Sequence, residues 1–187
     1  MKTRRIVLDA LFTAVALTLF LVELQIPNPV PVAGIKLGLA NLVTVVAMVL
    51  LSPLDALAIL AVRILLGSLF SGNMMALLYS AAGGALCYVV MLLLRGVVTA
   101  RQIWALSAVG GIAHNVGQMA AAIAVTRTPA LIVYLPVLLI GGTVAGLFTG
   151  LAAQFLIARL RPLLPRFLPT QTTNRGEKKN HEESETS

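Results

Sequence analysis

Three polar side chains stand close together in the otherwise apolar stretch "GGIAHNVGQM" at residues 110–119. His114 and Gln118 are four positions apart and Asn115 and Gln118 three apart, so on a helix all three share one broad face. An imidazole and two carboxamides supply donors and acceptors without fixed charge. That set suits recognition of a polar ligand, or hydrogen bonds that tie one helix to the next. Because three such groups sit at mid-helix, flanked by Gly111 and Gly117 where a ligand or a second helix can approach, we read the face as a cavity wall. A metal site is not implied: His181, the only other histidine, lies in the polar C-terminal stretch, and no carboxylate shares the helix. No cofactor is implied either.

Arg63 sits in a second apolar run, eight residues after Asp55, about 12 Å along a helix and too deep to snorkel easily. It either pairs with Glu23, locking two helices, or touches a substrate. The segment "PNPVPVAGIKLGLAN" at residues 27–41 concentrates three prolines and Gly34 ahead of Lys36 and Asn41. Its prolines fix backbone angles and remove donors, so 27–34 is expected to form a loop that caps a pocket. Lys36 would then stand at a helix N-terminus, where a cation adds to the positive dipole end and helps to hold an anion. Singly, Lys36 reads as an interface anchor and Tyr79 and Tyr134 as parts of an aromatic belt. As a set, Glu23, Lys36, Asn41, Arg63, Tyr79, His114, Asn115, Gln118 and Tyr134 read as a substrate-binding pocket open to the outside. If Glu23 and Arg63 neutralise each other, Lys36 leaves positive charge in excess, which favours an anionic ligand.

Such residues must be held by membrane helices. The 187-residue chain is 58% hydrophobic and only 11% charged, with a mean hydropathy of +0.93, whereas a soluble domain carries about a quarter charged residues. Helix breakers divide it into six apolar runs, 6–26, 35–51, 53–70, 74–94, 103–125 and 130–157, each compared with the roughly 20 residues that cross a bilayer. The expectation is an all-α, polytopic membrane protein: a six-transmembrane-helix bundle over 1–168 and a polar cytoplasmic tail over 169–187, expected to be disordered. The N-terminal apolar run is too long for a signal peptide and has no small-residue cleavage site, so it reads as a retained first helix. Before the tail the only acids are Asp9, Glu23 and Asp55. The net charge of +7 therefore reflects basic loop anchors rather than nucleic-acid binding. Placing both termini in the cytoplasm of a prokaryotic plasma membrane puts Lys2, Arg4, Arg5, Arg95, Arg101, Arg159, Arg161 and Arg166 inside and only Lys36 and Arg127 outside. No nucleotide-binding loop and no aspartate-rich diphosphate motif is present, so the chain reads as no enzyme. Cys87 is alone, which rules out a disulfide framework.

Small residues recur at helix-packing spacing: Gly142, Gly146 and Gly150 in the last run, Ala10 and Ala14 in the first. The segments "GIKLGLANLVT", "RILLGSLF", "YSAAGG", "AHNVGQ" and "YLPVLLIGG" together resemble the Gx transporter family, also labelled heptaprenyl diphosphate synthase component I, over roughly residues 6–156. That family in turn resembles the substrate-binding S components of energy-coupling factor (ECF) transporters. The resemblance implies six helices, an outward-facing pocket for a small vitamin- or cofactor-related molecule, and docking of a shared coupling subunit on Ala10 and Ala14, with ATPase subunits behind it. The synthase label implies instead a noncatalytic membrane component that works beside a prenyl transferase in quinone side-chain synthesis. Of the two, the transport subunit is the primary expectation.

Overall fold

The computed structural model describes residues 2–25, 39–99 and 102–163. The stretch 26–38, which carries Lys36 and the proline-rich segment, and the tail from 164 lie outside the described residues, so the expectations for the capping loop, Lys36 and the disordered tail are not addressed there.

Six α-helices and one 3₁₀ segment make up the described chain: α1 (Lys2–Glu23), α2 (Asn41–Leu50), α3 (Pro53–Ser71), α4 (Met74–Leu94), α5 (Ile103–Thr126), the 3₁₀ segment (Pro129–Tyr134) and α6 (Leu135–Leu160). Local chemistry sets the sharpest boundaries. Ser52 caps α3 by accepting from the Asp55 amide at 3.2 Å, and Pro53 opens the helix where its missing N–H costs nothing. Gly72 ends α3 in the left-handed conformation, φ 61°, and Asn73 at once caps α4 by accepting from the amides of Met75 and Ala76 at 2.9 and 3.3 Å. The expected last helix over 130–157 is divided, because Pro136 lacks an amide donor and stands at the start of α6.

Five of these spans are long and apolar enough to cross a bilayer: 3–23, α3, α4, α5 and the 3₁₀ segment with α6. The second of the six expected spans is not among them in the described residues. α2 has 10 residues, about 15 Å, roughly half of a bilayer's apolar thickness. Within the apolar run expected to be helical from 35, Leu39 and Ala40 form a turn, and the described helix begins at Asn41.

Chain directions follow from side-chain contacts. Arg5 meets Asp55 and Phe20 meets Gly67, so α1 and α3 run parallel. Gly110 meets Met91 and Gly117 meets Ala82, so α4 and α5 are antiparallel; Gly142 meets Gly111 and Gly150 meets Trp104, so α5 and α6 are too. The bundle is thus an up-and-down array. The glycine stripe of α6 lies directly on the α5 backbone: a Cβ at Gly146 would fall 2.7 Å from the Ala108 Cα, and one at Gly150 2.6 Å from the Trp104 Cα. Close backbone approach is how apolar helices gain dispersion contacts when lipid removes the hydrophobic incentive to associate.

The shortest helix is the central one. α2 touches all five other α-helices, and seven of its ten residues are buried, as expected of a helix apolar all round. α5 packs along both α4 and α6, while α1 and α6 bury the least of their length.

Candidate functional site

Helix counting places the polar residues at one depth. Asn41 precedes Ser52 by eleven positions and Arg63 follows it by eleven, so across the α2–α3 hairpin both stand about 16 Å from the turn. Arg63 precedes Gly72 by nine positions, which sets it level with Ala82 and Gly83 on α4 across the next hairpin. Gly83 in turn faces α5: a Cβ there would lie 2.7 Å from Gln118 Cγ and 3.0 Å from His114 Cε1. On the opposite side of α5, Asn115 meets Gly142 of α6. Asn41, Arg63, His114, Asn115 and Gln118 therefore form one polar layer across the middle of the bundle.

Apolar clusters close it on both sides. Toward the end that carries Arg5 and Ser52 lies the larger core, with Val45, Val46, Ile59, Met91, Ile103 and Ile157. Toward the other end Tyr79 packs with Met119, Ala122 and Leu138, and Tyr134 lies against that cluster half-buried. The two tyrosines expected in the pocket thus belong to an apolar cluster beyond the layer.

Within the layer, side chains differ in how they are satisfied. The Asn115 Nδ2 donates to the Leu138 carbonyl at 2.5 Å, which ties α5 to α6 and gives this residue a structural role. His114 and Gln118 are buried against Gly83, where the absence of a side chain makes room for them. The Asn41 carboxamide is 6% exposed, and neither its nitrogen nor its oxygen has a hydrogen-bond partner. Arg63 is 3% exposed, and its Nε and Nη2 are likewise unpartnered. Each buried unsatisfied polar group costs about 1–3 kcal/mol, and an unpaired charge more.

Asn41 is also the first residue of α2. A helix that begins at mid-depth presents the positive end of its dipole there, and in transporters built on broken helices such ends point at anionic groups. A guanidinium and a helix N-terminus at the same level can together hold a carboxylate or phosphate.

The expected Glu23–Arg63 lock takes another form. Glu23 is buried at the end of α1, beyond the level of Gly67, and acts on Arg63 electrostatically. Among the described residues the ion pair in contact joins Arg5 to Asp55: Arg5 Nη2 donates to Asp55 Oδ2 at 2.6 Å and to Ser52 Oγ at 2.9 Å. This clasp fastens α1 to the α2–α3 turn. Its signal was opposite charge at the same end of parallel helices, residues that sequence reading had used only to orient the chain or to measure the depth of Arg63. The Ser107–Thr149 hydrogen bond, 3.1 Å between α5 and α6, carried no distinguishing signal. Ala10 and Ala14 are exposed on α1, so neither packs inside the bundle. Among the described residues no group of His, Cys, Asp and Glu could hold a metal ion.

The fold and layer define an all-helical protein with membrane-length apolar helices. Residues 12–156 match the family model described as heptaprenyl diphosphate synthase component I. The match covers well over half of the chain, which therefore belongs to that family, and component I is a noncatalytic subunit. No curated protein and no solved structure matches the chain.

Proposed function

We propose that the chain is the noncatalytic membrane component of a heptaprenyl diphosphate synthase, held in the plasma membrane with both termini in the cytoplasm, where it assists a separate prenyl transferase subunit. The observation that carries this reading is the family match over residues 12–156. It fits a sequence with only three acids before its tail, since ionising an allylic diphosphate needs carboxylates clustered around magnesium. The test is co-expression with a soluble prenyl transferase subunit from the same genome, followed by affinity capture and a product assay. Capture of the transferase, and longer or faster products in its presence, is expected. A transferase that neither binds nor responds would overturn the reading.

A second reading is a transport subunit that captures a small, anionic, cofactor-related molecule and docks an ECF-type coupling subunit on Ala10 and Ala14. Its support is the polar layer, where both amide atoms of Asn41, at the start of the 10-residue α2, and Nε and Nη2 of Arg63 on α3 are buried without hydrogen-bond partners. Glu23, Lys36, Tyr79, His114, Asn115, Gln118 and Tyr134 would complete the pocket. Mass spectrometry of small molecules that co-purify with the wild type but not with Asn41→Leu tests it. Identical contents in the two preparations would remove this reading.

A further inference from the structure

Outside the polar layer a cavity of about 750 Å³ opens at the side of the bundle. It exists because α1 and α6 do not pack closely on each other while both flank α2. Val7, Leu11 and Val15, recurring every fourth residue on α1, form one wall; Leu156 and Leu160 of α6 form the other; Val46 of α2 lies on the floor. The groove follows α1 from Thr3 to Val15, about 18 Å. Its deep end is the start of α2, where Leu42 and Val43 follow Asn41.

Polar character is confined to one end. Thr3 and Arg4 line the groove at the first turn of α1. Arg4 is exposed and has no ion pair among the described residues, whereas its neighbour Arg5 is taken by Asp55 and Ser52. An apolar channel with a single cationic end complements an amphiphile with one long tail and one compact anionic head.

Resting on the synthase reading, we propose that this groove shelters the tail of a polyprenyl diphosphate, with Arg4 at the diphosphate. The proposed topology puts Arg4 on the cytoplasmic side, where a soluble transferase works. A growing prenyl chain is apolar and gains by leaving water; a groove that starts at the cytoplasmic surface and ends in the bundle gives it a path into the bilayer. A bilayer phospholipid has two tails and no need of this path, and it is the competing occupant.

The test measures binding of radiolabelled heptaprenyl diphosphate to the purified full-length protein in detergent, with and without excess phosphatidylglycerol. Val15→Trp and Val46→Trp fill the groove from its wall and its floor, and each is expected to weaken binding at least about tenfold. Arg4→Ala, at an exposed position unable to disturb the core, is expected to weaken the diphosphate but leave heptaprenol binding unchanged. The same preparations are assayed for capture of the transferase. Wild-type binding that persists in both tryptophan variants, or that phosphatidylglycerol abolishes at equal concentration, overturns the groove assignment even when the transferase is captured. Failure to capture the transferase counts against the synthase reading alone, because ligand binding is read separately.

Discussion

Replacing Arg63 by methionine separates a structural guanidinium from one kept for a ligand. Arg63 is 3% exposed, and two of its nitrogens have no hydrogen-bond partner. At about 1–3 kcal/mol for each unsatisfied donor, the ligand-free protein carries a penalty of roughly 2–6 kcal/mol. The electrostatic pull of Glu23 and the packing of the aliphatic stem offset part of it. Methionine keeps most of the stem's volume and removes the charge. Exchanging a whole buried ion network for apolar residues is neutral or stabilising by about 1–4 kcal/mol, whereas removing one partner of a contact pair costs about 3–5 kcal/mol. Arg63 makes no contact ion pair among the described residues. We expect Arg63→Met to be more stable than wild type by about 1–3 kcal/mol, a rise in Tm of roughly 2–12 °C for a chain of this size. Arg63→Ala should lose stability through the void it leaves, by about 2 kcal/mol or more. Thermal unfolding of ligand-stripped protein in detergent is the assay. If the guanidinium serves an anion, Arg63→Met should also lose whatever anionic molecule co-purifies with the wild type. An Arg63→Met protein that is less stable than wild type by 2 kcal/mol or more, with unchanged small-molecule content, would show that Arg63 holds the fold and would refute the reasoning.

The remaining predictions concern packing, the clasp and topology. Gly146→Ala should destabilise by about 1–3 kcal/mol, because its Cβ would meet the Ala108 Cα at 2.7 Å and the Ser107 carbonyl at 2.8 Å, backbone atoms that yield only if two helices part. Gly96→Ala, with nothing within 4 Å of its Cβ, should leave the unfolding temperature unchanged or raised, and equal effects at the two sites would refute the packing argument. Ser52→Ala should cost about 1 kcal/mol as the α3 cap is lost, and more than Thr99→Ala, a loop control, in the same unfolding assay. For topology, a cysteine at Thr128 should react with a membrane-impermeant reagent added to intact cells and one at Thr99 should not; labelling at Thr99 would reverse the orientation.

Where punctuation is strong, the sequence specified the fold closely. Ser52-Pro53 and Gly72-Asn73 each combine a conformational constraint with a cap, and α3 begins at the first pair and ends at the second, where α4 begins. The start of α2 was not legible, because an apolar run reports burial and not backbone dihedrals, and 35–51 is apolar whether or not its first part is helical. Residues sharing the polar face of α5 were identified from spacing, but their division was not. His114 and Asn115 are adjacent, hence about 100° apart around the helix, and that angle sends His114 toward Gly83 of α4 and Asn115 toward Gly142 of α6. Arg63 was recognised as buried and Glu23 named as its possible charge partner, and Glu23 does act on it electrostatically; the partner of Asp55 could not be read off. Glu23 and Asp55 were both available in sequence, and only the parallel packing of α1 on α3 assigns Asp55 to Arg5.

The polar groups inside this bundle sort into two kinds by a single criterion. Ser107 and Thr149 bond each other, and the Asn115 amide nitrogen bonds a carbonyl of α6 while its oxygen is left unpartnered; these contacts satisfy donors across a glycine-lined seam and account for themselves as helix glue. Asn41 and Arg63 do not, since both amide atoms of Asn41 and two guanidinium nitrogens of Arg63 are buried without hydrogen-bond partners and weaken the fold that contains them. Had they served only cohesion, a leucine or methionine at either position would serve better. Both stand near the level at which the described part of α2 begins, and under the transport reading an anion there would meet a helix N-terminus, a guanidinium and the Asn41 amide nitrogen at once. On that reading a bound anion would offset what these groups cost the fold.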